Sequence, residues 1–290
     1  MEYVFVVNRK AKRGGSRNFL ERFEQHLRAK NLEYRLVVVD RPGGGAELAR
    51  EAVARGAGAV IAVGGDGTVN EALNGLSGGT AFGIIPVGTC NDAARNLGLP
   101  RDWRQALDVV AAGRVVRADL GRCGEQRFLT VAGMALDSFV GMAMNRLPRV
   151  LRRPFAYVPV LVAKILTRRP MAFRLVVDGR AIEERAWMVA VANTRAYAGG
   201  MRIAPNARMD DGRLHVCVIR ECSRWELIRK FPLVYSGRHL GHPIVRMYEA
   251  ERSVEIACSE PCPIIADGEH AGWLPATFTI EAGSLAVFAP

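Results

Sequence analysis

The feature that most constrains this chain is the point where a short apolar run meets a cluster of glycines. Residues 59–63 are all apolar, and GGDGTVNEALNGL follows them directly. The run has the length of a buried strand, and the polar segment after it has the spacing of a helix. The backbone amides of Gly64, Gly65 and Gly67 would lie accessible at the positive end of that helix. This junction predicts a phosphate site, and Asp66 within it suits a hydrated Mg²⁺ ion.

A second junction of the same kind lies in the segment IPVGTCNDAAR, residues 85–95. Either Asn91 or Asp92 can cap the helix that follows it. A lone Gly-Asp turn is common in proteins. Two polar strand-to-helix junctions within about thirty residues instead indicate a nucleotide crevice at the carboxyl edge of a parallel sheet.

The spacing of apolar residues changes near the middle of the chain. The first part alternates strands with helices, which predicts an α/β domain whose doubly wound parallel sheet is covered on both faces. The second part has short strands separated by Asp-Gly turns, which predicts an antiparallel β-sandwich. We therefore expect one domain at residues 1–123 and another at 124–290, with the active site in the cleft between them.

The individual elements follow from the same periodicity. In the first part, the predicted strands are 3–8, 34–39, 59–63 and 81–85, and the predicted helices begin at Ser16, near Ala46 and at Asp102. In the second part, the predicted strands are 128–133, 173–178, 186–192, 213–219, 253–257, 276–280 and 284–288.

The net charge of +11 is concentrated in one part of the sequence. No acidic residue occurs between Ser138 and Val177, where eight arginines and lysines alternate with apolar residues. One interpretation is a solvated basic face beside a core helix. The other is peripheral association with an anionic membrane surface through residues 146–174, each cation contributing about 1 kcal/mol. Nucleic-acid binding is the third alternative. No recognised binding motif accompanies the charge, so we expect no nucleic-acid partner.

The cysteines and the longest apolar run indicate the cellular compartment of the protein. Its six cysteines are scattered, and Cys258 and Cys262 have no second ligand pair, so we expect free thiols in a reducing cytoplasm and no zinc. The apolar run at 154–163 is short and interrupted by Pro159, so no membrane span is expected. We expect a cytoplasmic protein that associates with the membrane periphery. A homodimer is one of the oligomeric states that stay open.

The two junctions together resemble the diacylglycerol kinase catalytic-domain family, soluble bacterial lipid kinases that are related to sphingosine kinases. The similarity continues in order through DLG at 119–121, YAGG at 197–200, APNA at 204–207, DDG at 210–212 and ADGE at 266–269. GGDGT alone is less specific, because NAD kinases and phosphofructokinases are similar there. The resemblance implies an ATP- and Mg²⁺-dependent kinase that phosphorylates a lipid hydroxyl, with diacylglycerol the favoured acceptor and phosphatidic acid the product.

Four carboxylates are candidates for the chemistry. Asp66, Asp92 and Asp119 each follow a predicted strand, so we expect them to share one hydrated Mg²⁺. Alone, Asp92 would be interpreted as a helix cap and Asp119 as a turn residue. The resemblance implies that Glu269 is the general base, assisted by Asp119. Related sphingosine kinases assign that role to the residue matching Asp66, so both assignments stay open and Glu269 is favoured.

The resemblance also implies nucleotide contacts. They are Asn8, Gly64, Gly65, Asp66, Gly67, Thr68, Val69, Asn70 and Thr89. The chain departs from the family after Asn8, where an Asn-Pro start is usual. It also has Asp40 and Arg41 where a threonine commonly contacts the nucleotide. The adenine side is then expected to use Arg9 or Lys12.

A second metal site is implied at the DDG segment. Some relatives hold a structural Mg²⁺ there, which maps to Asp211 and the backbone carbonyls of Arg208 and Arg213. A plain Asp-Gly turn between strands is an equally good interpretation. Two alternatives to the lipid kinase also stay open: an NAD kinase-like phosphotransferase, and a non-catalytic nucleotide- or lipid-sensing protein of the same fold.

Overall fold

The computed structural model describes residues 1–8, 17–77, 79–147 and 154–290. These residues form two compact units, one of Met1–Asp119 with Gly283–Pro290 and the other of Leu120–Ala282. Several predicted features lie outside the described residues. They are the helix cap at Ser16, the candidate nucleotide contacts Arg9 and Lys12, and Arg149, Arg152 and Arg153 of the basic segment.

The first unit is a parallel sheet with helices on both faces, which confirms the predicted alternation. Its strands are β1 (Tyr3–Asn8), β2 (Tyr34–Val39), β3 (Ala59–Gly64) and β4 (Ala81–Pro86); its helices are α1 (Arg17–Arg28), α2 (Gly44–Ala54), α3 (Asp66–Asn74), α4 (Asp92–Asn96) and α5 (Trp103–Ala112). The strand order is β2-β1-β3-β4, and each neighbouring pair is parallel. This order brings the carboxyl ends of β3 and β4 side by side.

Both faces of this sheet are buried. Successive residues of β1 from Val4 to Val7 are fully buried, because one face packs on α1 and α5 and the other on α2 and α3. Phe19 and Phe23 of α1 stack with ring centroids 5.6 Å apart, as their four-residue spacing predicts. In α2 the buried residues include Ala49 and Ala52, whereas Leu48 and Val53, which were expected inside, are half-buried.

Helix α5 ends where its sequence signals place the ends. The Asp102 side chain accepts a hydrogen bond from the Arg104 amide at 2.9 Å, which satisfies one free donor at the start of the helix. Gly113 adopts a left-handed conformation, φ 75°, just beyond the last residue. The predicted helix from Asp102 to Gly113 is therefore confirmed.

The strands of the second unit pair antiparallel. They are the last part of β5 (Val115–Cys123), β6 (Gln126–Phe128), β7 (Val131–Ala135), β8 (Met171–Val177), β9 (Arg180–Ala192), β10 (Leu214–Arg220), β11 (Val245–Ala250), β12 (Ser253–Cys258), β13 (Pro263–Ala266), β14 (Glu269–Trp273) and the first part of β15 (Ala276–Phe288). The long β9 organises the unit. Its first half pairs with β8, and its second half lies between β7 and β10.

Helices cover part of this unit, which the strand pattern did not predict. They are α6 (Leu136–Arg146), α7 (Pro154–Thr167), α8 (Arg224–Lys230), α9 (Leu233–Ser236) and a 3-10 helix at Arg238–Gly241. Helix α7 contains Pro159 and is apolar on all sides, so no alternation of polar and apolar residues marks it as a helix. Within the described residues, no helix combines the length and apolar character needed to cross a bilayer.

The last strand contributes residues to both units. Residues 276–280 and 284–288 were expected to be separate strands of the second domain, but they form the single strand β15, with Gly283 at φ 56° inside it. The first part of β15 pairs antiparallel with β12, whereas Val287 pairs parallel with Phe82 of β4. Residues 283–290 therefore belong to the first unit, where the buried Phe288 joins the core beneath the sheet.

Candidate active site

The glycine turns after β3 and β4 pack directly against each other. A Cβ atom on Gly88 would lie 2.4 Å from the Cα of Gly65, and a Cβ on Gly64 would lie 2.3 Å from Thr68 Oγ1. The Val87 amide also donates a hydrogen bond to the Gly64 carbonyl at 2.9 Å. A larger residue at Gly88 would therefore separate the two turns, and one at Gly64 would displace the Thr68 side chain. Gly65 and Gly88 are thus required by the close approach of the two backbones.

Asp66 joins the two turns through its side chain. It is the first residue of α3, and its carboxylate accepts hydrogen bonds from the amides of Asn91 at 2.9 Å and Asp92 at 2.6 Å. These amides belong to the start of α4. The prediction that the two junctions form one site is therefore supported by a direct contact between them.

Asn91 occupies the cap position of α4 but does not cap it with its side chain. Its backbone is left-handed, φ 49°, a conformation that asparagine tolerates. The side chain instead contacts Gly88 twice, accepting from its amide at 3.0 Å and donating to its carbonyl at 3.1 Å. Asn91 therefore fixes the shape of the second glycine turn.

Three potential metal ligands converge at this junction. One ligand atom from each of Asp66, Cys90 and Asp92 lies within 4.8 Å of the others. Two carboxylates suit a hydrated Mg²⁺ ion, so the residues present fit the predicted cofactor. Burial raises the pKa of the Cys90 thiol to about 11, and the nearby Asp92 and Asp66 charges add to this effect. The thiol is thus neutral at physiological pH, and it is a poor ligand for a hard cation.

The structure corrects the predicted position of Asp119. This residue was expected at or near the exit of a parallel strand; it lies in the middle of β5, of which Gly121–Cys123 pair antiparallel with β6. Its side chain is buried, and Oδ1 accepts a hydrogen bond from the Gly283 amide at 2.6 Å. Among the described residues, the converging ligands are Asp66, Cys90 and Asp92, without Asp119. Its predicted roles toward the ion and the base stay predictions.

The other candidate nucleotide contacts differ in accessibility. Asn8 Nδ2 donates to Thr68 Oγ1 at 3.0 Å, and Thr68, Val69 and Asn70 are buried. The buried side chains of Thr68, Val69 and Asn70 pack beneath the glycine turn that follows β3. Thr89 is exposed, whereas Gly65 and Gly67 are partly accessible. The accessible groups for a phosphate are therefore the glycine backbone and Thr89.

Glu71 was not among the predicted site residues, although it follows GGDGT by three positions in the segment GGDGTVNEALNGL. Its carboxylate accepts hydrogen bonds from the amides of Gly43 and Gly45, both at 2.9 Å. Those amides lie at the start of α2 and would otherwise lack a helical partner. Glu71 therefore connects α2 to α3 beside the candidate phosphate site.

In the second unit, the turn before Glu269 is held in place by its neighbours. The Asp267 carboxylate accepts hydrogen bonds from the amides of Leu129 at 2.7 Å and Thr130 at 2.8 Å. Asn145 Nδ2 donates to the Gly268 carbonyl at 3.1 Å. Glu269 itself begins β14 and its side chain is exposed. This arrangement presents a carboxylate to solvent from a fixed turn.

The DDG loop has the geometry of a closed turn. The Asp211 carboxylate accepts from the amides of Arg208 at 3.2 Å and Arg213 at 3.0 Å, and it lies 3.0 Å from Nε2 of the buried His215. The Arg208 guanidinium pairs with Asp210, and that of Arg213 with two glutamates, Glu249 and Glu251. The carbonyl ligation expected of Arg208 and Arg213 stays a prediction.

The second unit also contains an apolar cavity of about 70 Å³ between its helices and β9 and β10. Leu161, Ile165 and Phe231 are among the residues that line it. One carboxyl lies on its wall: Asp137, which accepts a 2.7 Å hydrogen bond from the Tyr197 hydroxyl. Burial raises the pKa of Asp137 to about 6. The sequence analysis missed Asp137, because it lies in an apolar stretch that matches no site pattern.

Comparison with known proteins decides the family. A profile described as "Diacylglycerol kinase catalytic domain" matches residues 2–123, and one described as "YegS C-terminal NAD kinase beta sandwich-like domain" matches residues 130–289. A diacylglycerol kinase of Mycobacterium tuberculosis is 38% identical over 265 residues, covering 87% of this chain and 85% of that protein. This chain belongs to the diacylglycerol kinase catalytic-domain family. The resemblance inferred from the motifs is confirmed, and so is the predicted fold class.

Another diacylglycerol kinase and two solved structures are similar over most of their length. A diacylglycerol kinase of Staphylococcus carnosus is 31% identical over 234 residues, covering 80% of this chain and 76% of that protein. A crystal structure of a diacylglycerol kinase from Bacillus anthracis superposes with a TM-score of 0.78 at 22% identity, covering 100% of this chain and 97% of that one. An NAD kinase of Archaeoglobus fulgidus in complex with ATP has a TM-score of 0.54 at 17% identity, covering 99% and 92%. The last two likenesses concern the fold alone.

Proposed function

We propose that this protein is an ATP- and Mg²⁺-dependent lipid kinase that transfers the γ-phosphate to a lipid hydroxyl, with diacylglycerol as the acceptor and phosphatidic acid as the product. The observation that carries the proposal is the junction at Asp66. There, two glycine turns and two carboxylates, Asp66 and Asp92, are joined within the catalytic domain of the family. Family members named diacylglycerol kinase suggest the acceptor.

Each residue has a separate task in this mechanism. The amides of Gly65 and Gly67 hold phosphate oxygens at the positive end of α3. Asp66 and Asp92 would hold Mg²⁺, which neutralises charge on the phosphates as the transfer proceeds. The lipid oxygen forms a bond to the γ-phosphorus while the bond from that phosphorus to ADP breaks. Glu269 accepts the proton of the lipid hydroxyl, the role that the family resemblance implies for it.

The acceptor is proposed to be a lipid because the second unit offers an apolar space. Most of the side chains that line the cavity beside Leu161 and Ile165 are apolar, which suits hydrocarbon better than phosphates. A dinucleotide acceptor carries phosphates and sugars that such a lining would leave unpaired. This contrast favours a lipid over NAD. We further propose that the enzyme works in the cytoplasm at the membrane surface, where a diacyl lipid resides.

A transfer assay tests the proposal. The purified protein is incubated with γ-labelled ATP, Mg²⁺ and mixed micelles that contain diacylglycerol, phosphatidylglycerol, a sphingoid base or a prenol, with NAD as a further acceptor. Glu269→Ala is compared with Glu255→Ala, which changes another exposed glutamate of the same unit. Label in diacylglycerol that Glu269→Ala abolishes and Glu255→Ala retains is the expected result.

Other outcomes exclude the proposal in distinct ways. Label in NAD would indicate an NAD kinase-like phosphotransferase. The absence of transfer to any acceptor, with Mg²⁺-dependent ATP binding retained in calorimetry, would indicate a nucleotide-sensing protein. Full activity of Glu269→Ala would remove that residue from the chemistry and leave Asp66 as the candidate base.

A further inference from the structure

The carboxyl ends of β2, β1 and β3 lie at one level in the sheet of the first unit. Asn8, the last residue of β1, is in register with Val39, the last residue of β2. Val7 of β1 is in register with Val63, the residue before Gly64 at the end of β3. The segments that follow β2 and β3 therefore leave the same edge of the sheet. In open parallel sheets, ligands bind at this edge.

The segment after β2 begins with an acidic residue. Asp40 directly follows the buried Val39, and its side chain is exposed. The next residue, Arg41, forms an ion pair with Glu47 of α2. Within the described part of the chain, the Asp40 carboxylate has neither a hydrogen-bond partner nor an ion-pair partner. Both of its oxygens are therefore available to accept hydrogen bonds from a ligand at this edge.

The loop that carries Asp40 is fixed to the helix of the candidate phosphate site. The Glu71 carboxylate of α3 accepts hydrogen bonds from the amides of Gly43 and Gly45, both at 2.9 Å. A Cβ atom on Gly45 would lie 2.7 Å from Glu71 Oε2, so the end of this loop packs closely against α3. These contacts hold the segment after β2 in a constant position relative to the start of α3.

The separation between Asp40 and the candidate phosphate site suits a nucleotide. Strand β1 lies between β2 and β3, and neighbouring strands are about 4.8 Å apart, so the ends of β2 and β3 lie about 10 Å apart. Asp66 and Asp92 join the turn after β3 to the turn after β4, so the γ-phosphate and its ion are expected on the β4 side. With its phosphates on the amides of Gly65 and Gly67, the nucleotide then extends its ribose the opposite way, over the end of β1 and towards Asp40.

We propose that Asp40 binds the ribose of the nucleotide by accepting hydrogen bonds from its 2′- and 3′-hydroxyls. A carboxylate offers two acceptor oxygens, and the two neighbouring hydroxyls of a ribose offer two donors. In dinucleotide-binding sheets, an acidic residue in the same unit accepts a hydrogen bond from the ribose 2′-hydroxyl. The proposal rests on the proposed function in that it requires a nucleotide donor. It adds a residue that selects a ribonucleotide over a deoxyribonucleotide.

An exposed acid without a ribose contact predicts the opposite effect of substitution. In that case the negative charge of Asp40 only repels the triphosphate, so Asp40→Ala would raise the affinity for every nucleotide alike. With the ribose contact, Asp40→Ala lowers the affinity for ATP and does not lower that for a nucleotide without the two hydroxyls. The sign of the change in ATP affinity therefore distinguishes the two cases.

Calorimetry tests the proposal without any lipid, so the result does not depend on transfer. ATP, 2′-deoxyATP and 2′,3′-dideoxyATP, each with Mg²⁺, are titrated into the full chain and into Asp40→Ala. The wild type should bind ATP about tenfold more tightly than 2′,3′-dideoxyATP, equivalent to about 1.4 kcal/mol, with 2′-deoxyATP between them. In Asp40→Ala, ATP should bind about tenfold more weakly, and its affinity should lie within about twofold of that for 2′,3′-dideoxyATP.

A matched control separates this contact from the loss of any surface charge. Asp108→Ala removes another exposed aspartate of the first unit, on α5, and should keep the wild-type preference for ATP. Equal binding of ATP and 2′,3′-dideoxyATP by the wild type would overturn the proposal. A preference for ATP that persists in Asp40→Ala, or tighter binding of all three nucleotides by that variant, would also overturn it.

The results also separate this proposal from the proposed function. Transfer of label to diacylglycerol, without a preference for ATP over 2′,3′-dideoxyATP in binding, would contradict only the role of Asp40. A preference for ATP that requires Asp40, without transfer to any lipid, would support that role and contradict only the lipid kinase activity. The absence of binding of any of the three nucleotides would overturn both proposals.

Discussion

The Asp66 carboxylate accepts a 2.6 Å hydrogen bond from the backbone amide of Asp92, the second acid of the same candidate ion site. The two acids are therefore held together by the main chain before any ion binds. Their negative charges repel each other, and the hydrogen bonds that the backbone amides of Asn91 and Asp92 donate to Asp66 offset part of that repulsion. Asp66 thus has a structural task as well as a predicted catalytic one.

The first prediction separates these two tasks of Asp66. Asp66→Ala removes both accepted hydrogen bonds, so we expect the free energy of unfolding to fall by about 1–3 kcal/mol and Mg²⁺-dependent transfer to be lost. Asp66→Asn retains one amide acceptor but no charge, so it should lose transfer with a smaller fall in stability. Urea unfolding and the transfer assay measure the two effects. Normal turnover of Asp66→Asn would show that transfer does not require the negative charge of Asp66.

The second prediction concerns Cys90. Because the pKa of its thiol is raised to about 11, a fraction on the order of one in a thousand or less is thiolate near neutral pH. Cys90→Ala should therefore keep transfer within about twofold of the wild type, and alkylation of Cys90 near pH 7 should be slow. Mass spectrometry after timed alkylation measures the second effect. If Cys90→Ala needs a much higher Mg²⁺ concentration for transfer than the wild type does, the thiol contributes to the ion site.

The third prediction concerns pH and Asp137. The pKa of its carboxyl rises from 3.8 to about 6 in the folded state because of burial. Between these values the folded state binds more protons than the unfolded state, so this group lowers the free energy of unfolding as pH rises through that window. Two pKa units correspond to about 3 kcal/mol.

Asp137→Asn carries no titrating group, and its amide oxygen can still accept the bond from Tyr197. The free energy of unfolding of the variant, minus that of the wild type, should therefore rise by about 3 kcal/mol as pH increases from 4 to 8. Urea unfolding of both proteins across this range measures the difference. A stability difference that stays constant with pH would show that Asp137 does not titrate as burial predicts. The apolar Val140→Ala variant of the same helix serves as a control whose difference should not depend on pH.

The fourth prediction tests the DDG loop. If this loop holds a structural ion, Mg²⁺ without nucleotide should raise the melting temperature of the wild type and leave that of Asp211→Ala unchanged. Asp210→Ala changes the neighbouring exposed acid and should keep the rise. Asp66→Ala should also keep it, which assigns the effect to the loop and not to the candidate active site. A rise that persists in Asp211→Ala would contradict this ligand.

Local signals in the sequence were sufficient for much of the first unit. Phe19 and Phe23 mark the buried side of α1, and Asp102 and Gly113 mark the ends of α5, because each signal acts within a few residues of the feature it determines. The glycine turns were predictable for the same reason. In the second unit, a core helix beside the basic segment was one of the interpretations, but the bounds of α7 were not predicted because a helix that is apolar on every side has no polar stripe to reveal its period.

Contacts between distant residues were not predictable in this way. Asp119 accepts its hydrogen bond from Gly283, 164 residues later in the chain, so its position depends on where β15 returns to the first unit. Glu71 binds the amides of Gly43 and Gly45 across two helices, and no local pattern distinguishes it from an ordinary helical glutamate.

The sequence by itself determined the class of the fold, the family and the two phosphate-type junctions, because glycine, aspartate and apolar spacing constrain the nearby backbone. Only the tertiary structure decided which of those residues meet. It placed Asp66 against the amides of Asn91 and Asp92, joined Asp119 to the Gly283 amide, and left Trp225 exposed. These outcomes depend on packing between residues that are far apart in the sequence. The free energy of that packing is distributed over many contacts, so no single motif predicts it.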